Sequence, residues 1–142
     1  MSATGVIYLL DKSALARIRT SEVVAKALHP LFVARVIATC NVIDLELVYS
    51  ARDQAHCERI VRAQRQCIML PVDVQVQMRA RTVQVELVKK GQHRGVSTND
   101  LLIAACAEVH GATVLHYDRD FDFIAEVTGQ PSLWVAPPGS VS

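Results

Sequence analysis

Four carboxylates stand at positions where an alternating strand and helix pattern collects its chemistry. Asp11 directly follows the apolar run Val6 to Leu10, and Asp118 directly follows "ATVLHY". Asp100 lies in the opening turn of "STNDLLIAACAEVH", and Glu46 lies inside "VIDLELVY". Carboxylates gathered without basic partners raise one another's pKa and hold on to protons. A hard divalent cation such as Mg²⁺ or Mn²⁺, which prefers oxygen ligands, removes that cost. The reaction that goes with such a cation is phosphodiester hydrolysis, in which one or two metals activate water and stabilise charge on the phosphoryl and leaving oxygens. Ser13, just past Asp11, could hold a water of the metal through its hydroxyl.

Each acid also has a plainer explanation. Asp11 and Asp118 suit helix N-caps. Asp100 stands three residues after Ser97, which matches a capping box and favours the helix dipole. Glu46 is harder to dismiss, because its segment is apolar nearly all round and a carboxylate there needs a reason for burial. Asp44 competes with it. Two residues separate by about 200° around a helix, so only one of the pair faces a crevice, and Asp44 is accounted for by the first-turn dipole. Glu46 is therefore assigned to the cluster.

The elements that must position these acids follow from hydrophobic periodicity. The run Val6 to Leu10 reads as a buried strand, followed by a helix from Lys12 to about Ile18 and another from about Ser21 to Ala34. A strand over Arg35 to Cys40 precedes a helix capped by Asn41. A polar helix spans about Arg52 to Gln66, a strand Cys67 to Leu70, and an amphipathic helix Asp73 to Lys90. After the loop "GQHRG", a helix opens at Ser97 and closes at Gly111, then come the strand "ATVLHY", a helix from Arg119 to Thr128, and the strand "SLWVA".

Continuous apolar strands alternating with helices imply an α/β fold, a three-layer sandwich with a mostly parallel central sheet flanked by helices. In such folds ligands bind beyond the carboxyl ends of the strands. The helix from Ser97 runs antiparallel to the strands before feeding the next one, so its N-terminus, with Asp100, lies at that same edge. Residues 1–142 read as one domain without repeat or linker, and 137–142 as a frayed tail.

Hydrophobic residues make up 51% of the chain and charged residues 20%, which argues against disorder. No apolar run approaches the roughly 18 residues of a membrane span, and the N-terminus lacks a basic leader, so a cytoplasmic location is expected. The net charge of +1 does not mark a bulk nucleic-acid binder, which leaves any attraction to local patches. Cys40, Cys57, Cys67 and Cys106 form no C-x-x-C pair and read as free thiols; Cys106 and His110 lie four apart, but no second pair of zinc ligands follows. Arg59, Arg62 and Arg65, with Arg52 upstream, could contact RNA phosphates, although a solvated helix face is the commoner reason for such a run. Lys89, Lys90, His93 and Arg94 surround the loop before Asp100 and are expected to contact substrate phosphates. Trp134 reads as core.

Taken together, "YLLDKSAL", "IDLELVYSAR", "STNDLLIAACAEVHGATVLHYDRDF" and "FIAEVTG" resemble the PIN-domain toxins known as VapC, over nearly the whole chain and in the expected order. The resemblance implies that Asp11, Glu46, Asp100 and Asp118 form an acidic quartet for Mg²⁺ or Mn²⁺, with Asp120 as an outer acid. It further implies the toxin of a type II toxin–antitoxin system: an endoribonuclease acting on tRNA, rRNA or mRNA, homodimeric, and silenced by a VapB-type antitoxin. Two positions depart from the usual pattern. His116 replaces a Thr or Ser before Asp118 and could contact a metal water or phosphate, or merely pack; Asn99 replaces a frequent proline, with little expected effect on the helix. A PIN fold that binds RNA or protein without cutting is the alternative. A phosphoacceptor domain is a third reading, disfavoured by the single acid in "LLDKSAL".

Overall fold

The computed structural model describes residues 5–142. Along the chain run β1 (Tyr8–Leu10), α1 (Lys12–Leu15), α2 (Glu22–Val33), β2 (Ile37–Cys40), α3 (Asn41–Tyr49), α4 (Gln54–Arg65), β3 (Ile68–Leu70), α5 (Val74–Lys89), α6 (Thr98–Val109), β4 (Thr113–His116), α7 (Asp120–Thr128) and β5 (Ser132–Trp134). The five strands form one sheet in the order β3-β2-β1-β4-β5, and every pairing is parallel. The chain therefore winds outward from β1 in one direction and later from β4 in the other. The junction of these two halves, between β1 and β4, is where a crevice opens beyond the strand ends.

Side-chain alternation along each strand divides the interior in two. Leu9, Ala38, Cys40 and Val114 face a core filled by Ile43 of α3, Val76, Val83 and Leu87 of α5, Ile103 and Ala104 of α6, and Phe121 and Ile124 of α7. Leu10, Ile37 and Leu115 face the opposite layer, with Ala14 of α1 and Val24 and Leu28 of α2. Leu9 is fully buried on the central strand. Leu9→Ala is expected to lower the unfolding free energy by about 2–5 kcal/mol, read as a shift in urea midpoint at constant slope.

Most helices start on a side-chain cap, as Ser, Asp and Asn favour. Ser21 accepts from Val24 N, Asp53 from His56 N, Asp73 from Val76 N and Ser97 from Asp100 N. Three expectations are corrected. Asn41 is the first residue of α3 and not its cap; Cys40 holds the cap position without a side-chain bond, while Thr39 Oγ1 donates to Asp44 Oδ1 at 2.6 Å. Arg35 is not strand: it takes φ 58°, a left-handed turn off the end of α2, so β2 begins only at Ile37. The tail is not free either, because Val141 N donates to the Tyr117 hydroxyl at 3.1 Å and that hydroxyl donates to Val141 O at 3.1 Å.

The four cysteines are free thiols. Cys106 Sγ donates to the backbone carbonyls of Leu70 and Pro71, and His110 Nε2 lies 2.8 Å from Pro71 O, so both are engaged by the end of β3. Arg59, Arg62 and Arg65 are exposed along α4, and Arg52 is exposed just ahead of its Asp53 cap.

Candidate metal centre

At the β1–β4 junction an open crevice is lined by Asp11, Lys12, Ser13, Ala16, Glu46, Ser97, Asp100, Asp118 and Asp120. Asp11 arrives at the tip of β1, Glu46 from the second turn of α3, Asp100 from the first turn of α6, Asp118 from the turn between β4 and α7, and Asp120 from the first residue of α7. Asp100, Asp118 and Asp120 each offer a carboxylate oxygen, and these three atoms lie within 4.8 Å of one another.

Ordinary capping accounts for part of this arrangement. Asp11 caps α1, its Oδ2 accepting from Ser13 N at 3.0 Å. Its Oδ1 is buried and has no hydrogen-bond partner. A buried carboxylate oxygen without a partner is expensive, so capping alone does not account for Asp11. Asp118 Oδ1 accepts from Asp120 N at 2.9 Å, shaping the turn into α7.

The capping-box reading of Asp100 holds on one side only. Ser97 Oγ accepts from Asp100 N at 3.0 Å, but the reciprocal bond from Ser97 N goes to Asp120 Oδ2 at 3.1 Å. Asp120 thus does from another element what Asp100 would do in a local box, and the Asp100 carboxylate is left for the crevice.

Electrostatics agree with a cation site. Asp100 is pushed up to about 9 by burial first, then by the charges of Asp11 and Asp118 and the neighbouring Asp120. Burial likewise raises Asp11, with Glu46 and Asp118 adding to the effect against the opposing bonds from Ser13. Lys12 is the only cation lining the crevice and forms no ion pair among the described residues. The donor set is all oxygen, which fits Mg²⁺ or Mn²⁺ and not a soft metal.

Across residues 8–127 the chain matches the sequence profile of the PIN domain family. Ribonuclease VapC51 of Mycobacterium tuberculosis is 41% identical over 134 residues, which cover 94% of this chain and 96% of that protein. The chain belongs to the PIN domain family, among the VapC proteins. Ribonuclease VapC18 of the same organism is 34% identical, over 96% of this chain and 100% of the relative. Among solved structures, DNA-bound VapBC from Salmonella typhimurium superimposes with a TM-score of 0.72 at 19% identity, covering 93% of this chain and 100% of that one. FitAcB from Neisseria gonorrhoeae gives 0.69 at 21% identity, covering 89% and 96%. At such identities the likeness speaks for the fold.

Within this PIN domain the expected quartet of Asp11, Glu46, Asp100 and Asp118 lines one crevice, together with Asp120. The choice between the two α3 acids is explained by Asp44, whose side chain is taken by Thr39 on the far side of the helix. Ser13 lines the crevice too, but its Oγ already accepts from Tyr117 N at 2.8 Å, tying α1 to the end of β4.

His116 packs in the interior and does not line the crevice. It is fully buried, its Nδ1 accepts from Asp118 N at 3.1 Å, and its Nε2 lies 2.8 Å from Ser132 Oγ. Its ring packs against Phe121 and Trp134 at centroid distances of 4.9 and 5.0 Å. Burial lowers it to about 4, so it stays neutral and serves to hold the backbone turn that presents Asp118. Trp134 is only partly buried and donates its indole N–H to Asp122.

Lys89, Lys90 and Arg94 are exposed but do not line the crevice, and Lys89 pairs with Glu86 at 3.0 Å. Two residues escaped the sequence reading. Lys12 adjoins Asp11 at the strand tip, a position that already marked it. Asn99 Nδ2 donates to Glu46 Oε2 at 3.2 Å, a contact between residues distant in sequence that no local pattern announces.

Proposed function

We propose that this chain is the toxin of a type II toxin–antitoxin pair, a metal-dependent endoribonuclease whose Asp11, Glu46, Asp100 and Asp118 hold Mg²⁺ or Mn²⁺. The observation that carries the reading is the buried, partnerless Asp11 Oδ1 at the edge of a crevice with four further carboxylates. Such a cation supplies activation of water and neutralises charge building on the phosphoryl and leaving oxygens.

The chain's own groups do the rest. Asp11 and Asp100 offer ligand oxygens from rigid elements, so little reorganisation is needed when a cation arrives. Asp120 fixes the start of α6 through Ser97 N, and Asp118 fixes the start of α7. Lys12, which lines the crevice, is the group that would meet a phosphate of the RNA backbone. No side-chain nucleophile is called for: Ser13 is engaged by Tyr117, and neutral His116 lies in the core.

The relatives named VapC, and the neighbour crystallised as a VapBC complex, support a VapB-type antitoxin as partner. Homodimerisation belongs to the same proposal. None of the helices among the described residues is long and apolar enough to cross a membrane.

The test is incubation of antitoxin-free protein with tRNA, rRNA and mRNA fragments under Mg²⁺, Mn²⁺ or chelator, beside Asp118→Asn. Discrete cuts are expected with the wild type and either metal, with none in chelator and at least about a hundredfold fewer with the variant. Cutting that persists in chelator, or that the variant retains in full, would overturn the assignment.

A further inference from the structure

We propose that Asn99 is a positioning residue, holding Glu46 turned into the crevice as a preformed ligand arm. The inference rests on the reading of the crevice as a cation site and adds a member that is neither acidic nor a ligand.

Glu46 is only partly buried and projects from α3, while the other acids sit on strand tips and helix starts. A glutamate with three rotatable side-chain bonds loses much rotamer freedom when fixed, so an unsupported Glu46 would have to be ordered by the cation itself. Its one hydrogen bond among the described residues comes from Asn99 Nδ2, at 3.2 Å, and it takes part in no ion pair. Asn99 in turn stands one residue before Asp100, in the first turn of α6. One helical turn thereby sets two crevice acids, Asp100 through the backbone and Glu46 through a side-chain amide.

The amide suits this task. A lysine in its place would neutralise the arm and compete with the cation, and a carboxylate would repel Glu46. Asn99 donates a hydrogen bond without adding charge, so the negative charge of Glu46 remains available to a cation. Partners of this kind commonly alter metal affinity tenfold to a hundredfold when removed. Asn99 is itself exposed, so its loss has little to disturb in the core.

The experiment measures Mn²⁺ binding to apo protein by calorimetry, and unfolding in chelator, for wild type, Asn99→Ala, Glu46→Gln and the double variant. Asn99→Ala is expected to weaken Mn²⁺ about tenfold while leaving the chelator unfolding midpoint unchanged. In the Glu46→Gln background the same substitution should have almost no further effect, because its influence passes through that carboxylate. A weakened Glu46→Gln with unchanged Asn99→Ala would overturn the positioning role and leave the cation site standing. Additive losses in the double variant would also overturn it. Unchanged Mn²⁺ binding in Glu46→Gln would instead remove Glu46 from the site, and the proposal with it.

Discussion

Asp100→Asn is expected to lose RNA cleavage by about a thousandfold and, in chelator, to unfold at a higher urea concentration than the wild type. The first part follows from losing a ligand oxygen, which takes away several kcal/mol of transition-state stabilisation supplied through the cation. The second follows from linkage. Asp100 has a folded-state pKa of about 9 against an ordinary value of 3.8, so between those pH values the folded chain holds a proton that the unfolded chain has released. Stability is therefore greatest below the ordinary value and falls as pH rises toward 9, by up to about 1.4 kcal/mol per pH unit. An uncharged asparagine has no such dependence, so its advantage in chelator should widen from pH 5 to pH 8. Saturating Mn²⁺ should reverse the order, since only the wild type gains fully from binding, by about 2.7 kcal/mol at a hundred times the dissociation constant. Full cleavage by the variant, or equal pH slopes in chelator, would contradict the assignment.

Asp11 should separate into two functions, one for each oxygen. Oδ2 caps α1, and Oδ1 is buried without a partner. Asp11→Asn can keep the cap by turning its amide oxygen toward Ser13 N, and is expected to fold as well as the wild type. Asp11→Ala loses the cap as well and should be less stable than the asparagine variant by about 0.5–2 kcal/mol. Both should cut RNA at least about a hundredfold more slowly, because neither presents a carboxylate oxygen to the crevice. Urea melts and single-turnover cleavage on the two variants give the comparison. An active Asp11→Asn would reduce Asp11 to a cap.

Much of this crevice was legible in the chain because its acids follow strand ends, and strand ends were readable as apolar runs stopped by a charge. Asp11 after β1 and Asp118 after β4 needed nothing more than that rule. Asp100 needed only the direction of its helix. What escaped depends on approaches between distant segments: Asp120 completing the cap of α6, and Asn99 reaching Glu46. For His116 the sequence admits a metal water, a phosphate or plain packing, and a signal for packing is present. It shares a strand face with buried Val114, two residues earlier, and that alternation places it under Phe121. The Arg35 turn could not be read, because left-handed backbone at a residue other than glycine leaves no mark in composition. The tail reads as frayed from its place at the chain end, while its anchorage comes from the Tyr117 hydroxyl and the packing of Val141 on the α2 side of the core.

The order of the sheet also governs when such a nuclease can first exist. Tyr8 pairs with Thr113 and Leu10 with Leu115, so the strand carrying Asp11 waits for nearly the last strand to be synthesised before the two halves meet. Domains fold as units during synthesis, and a contact spanning most of the chain is made late. A chain halted on the ribosome short of Asp118 carries Asp11, Glu46 and Asp100 without the turn that gathers them. Only a chain synthesised through β4 and the turn after it can gather the four acids into one crevice.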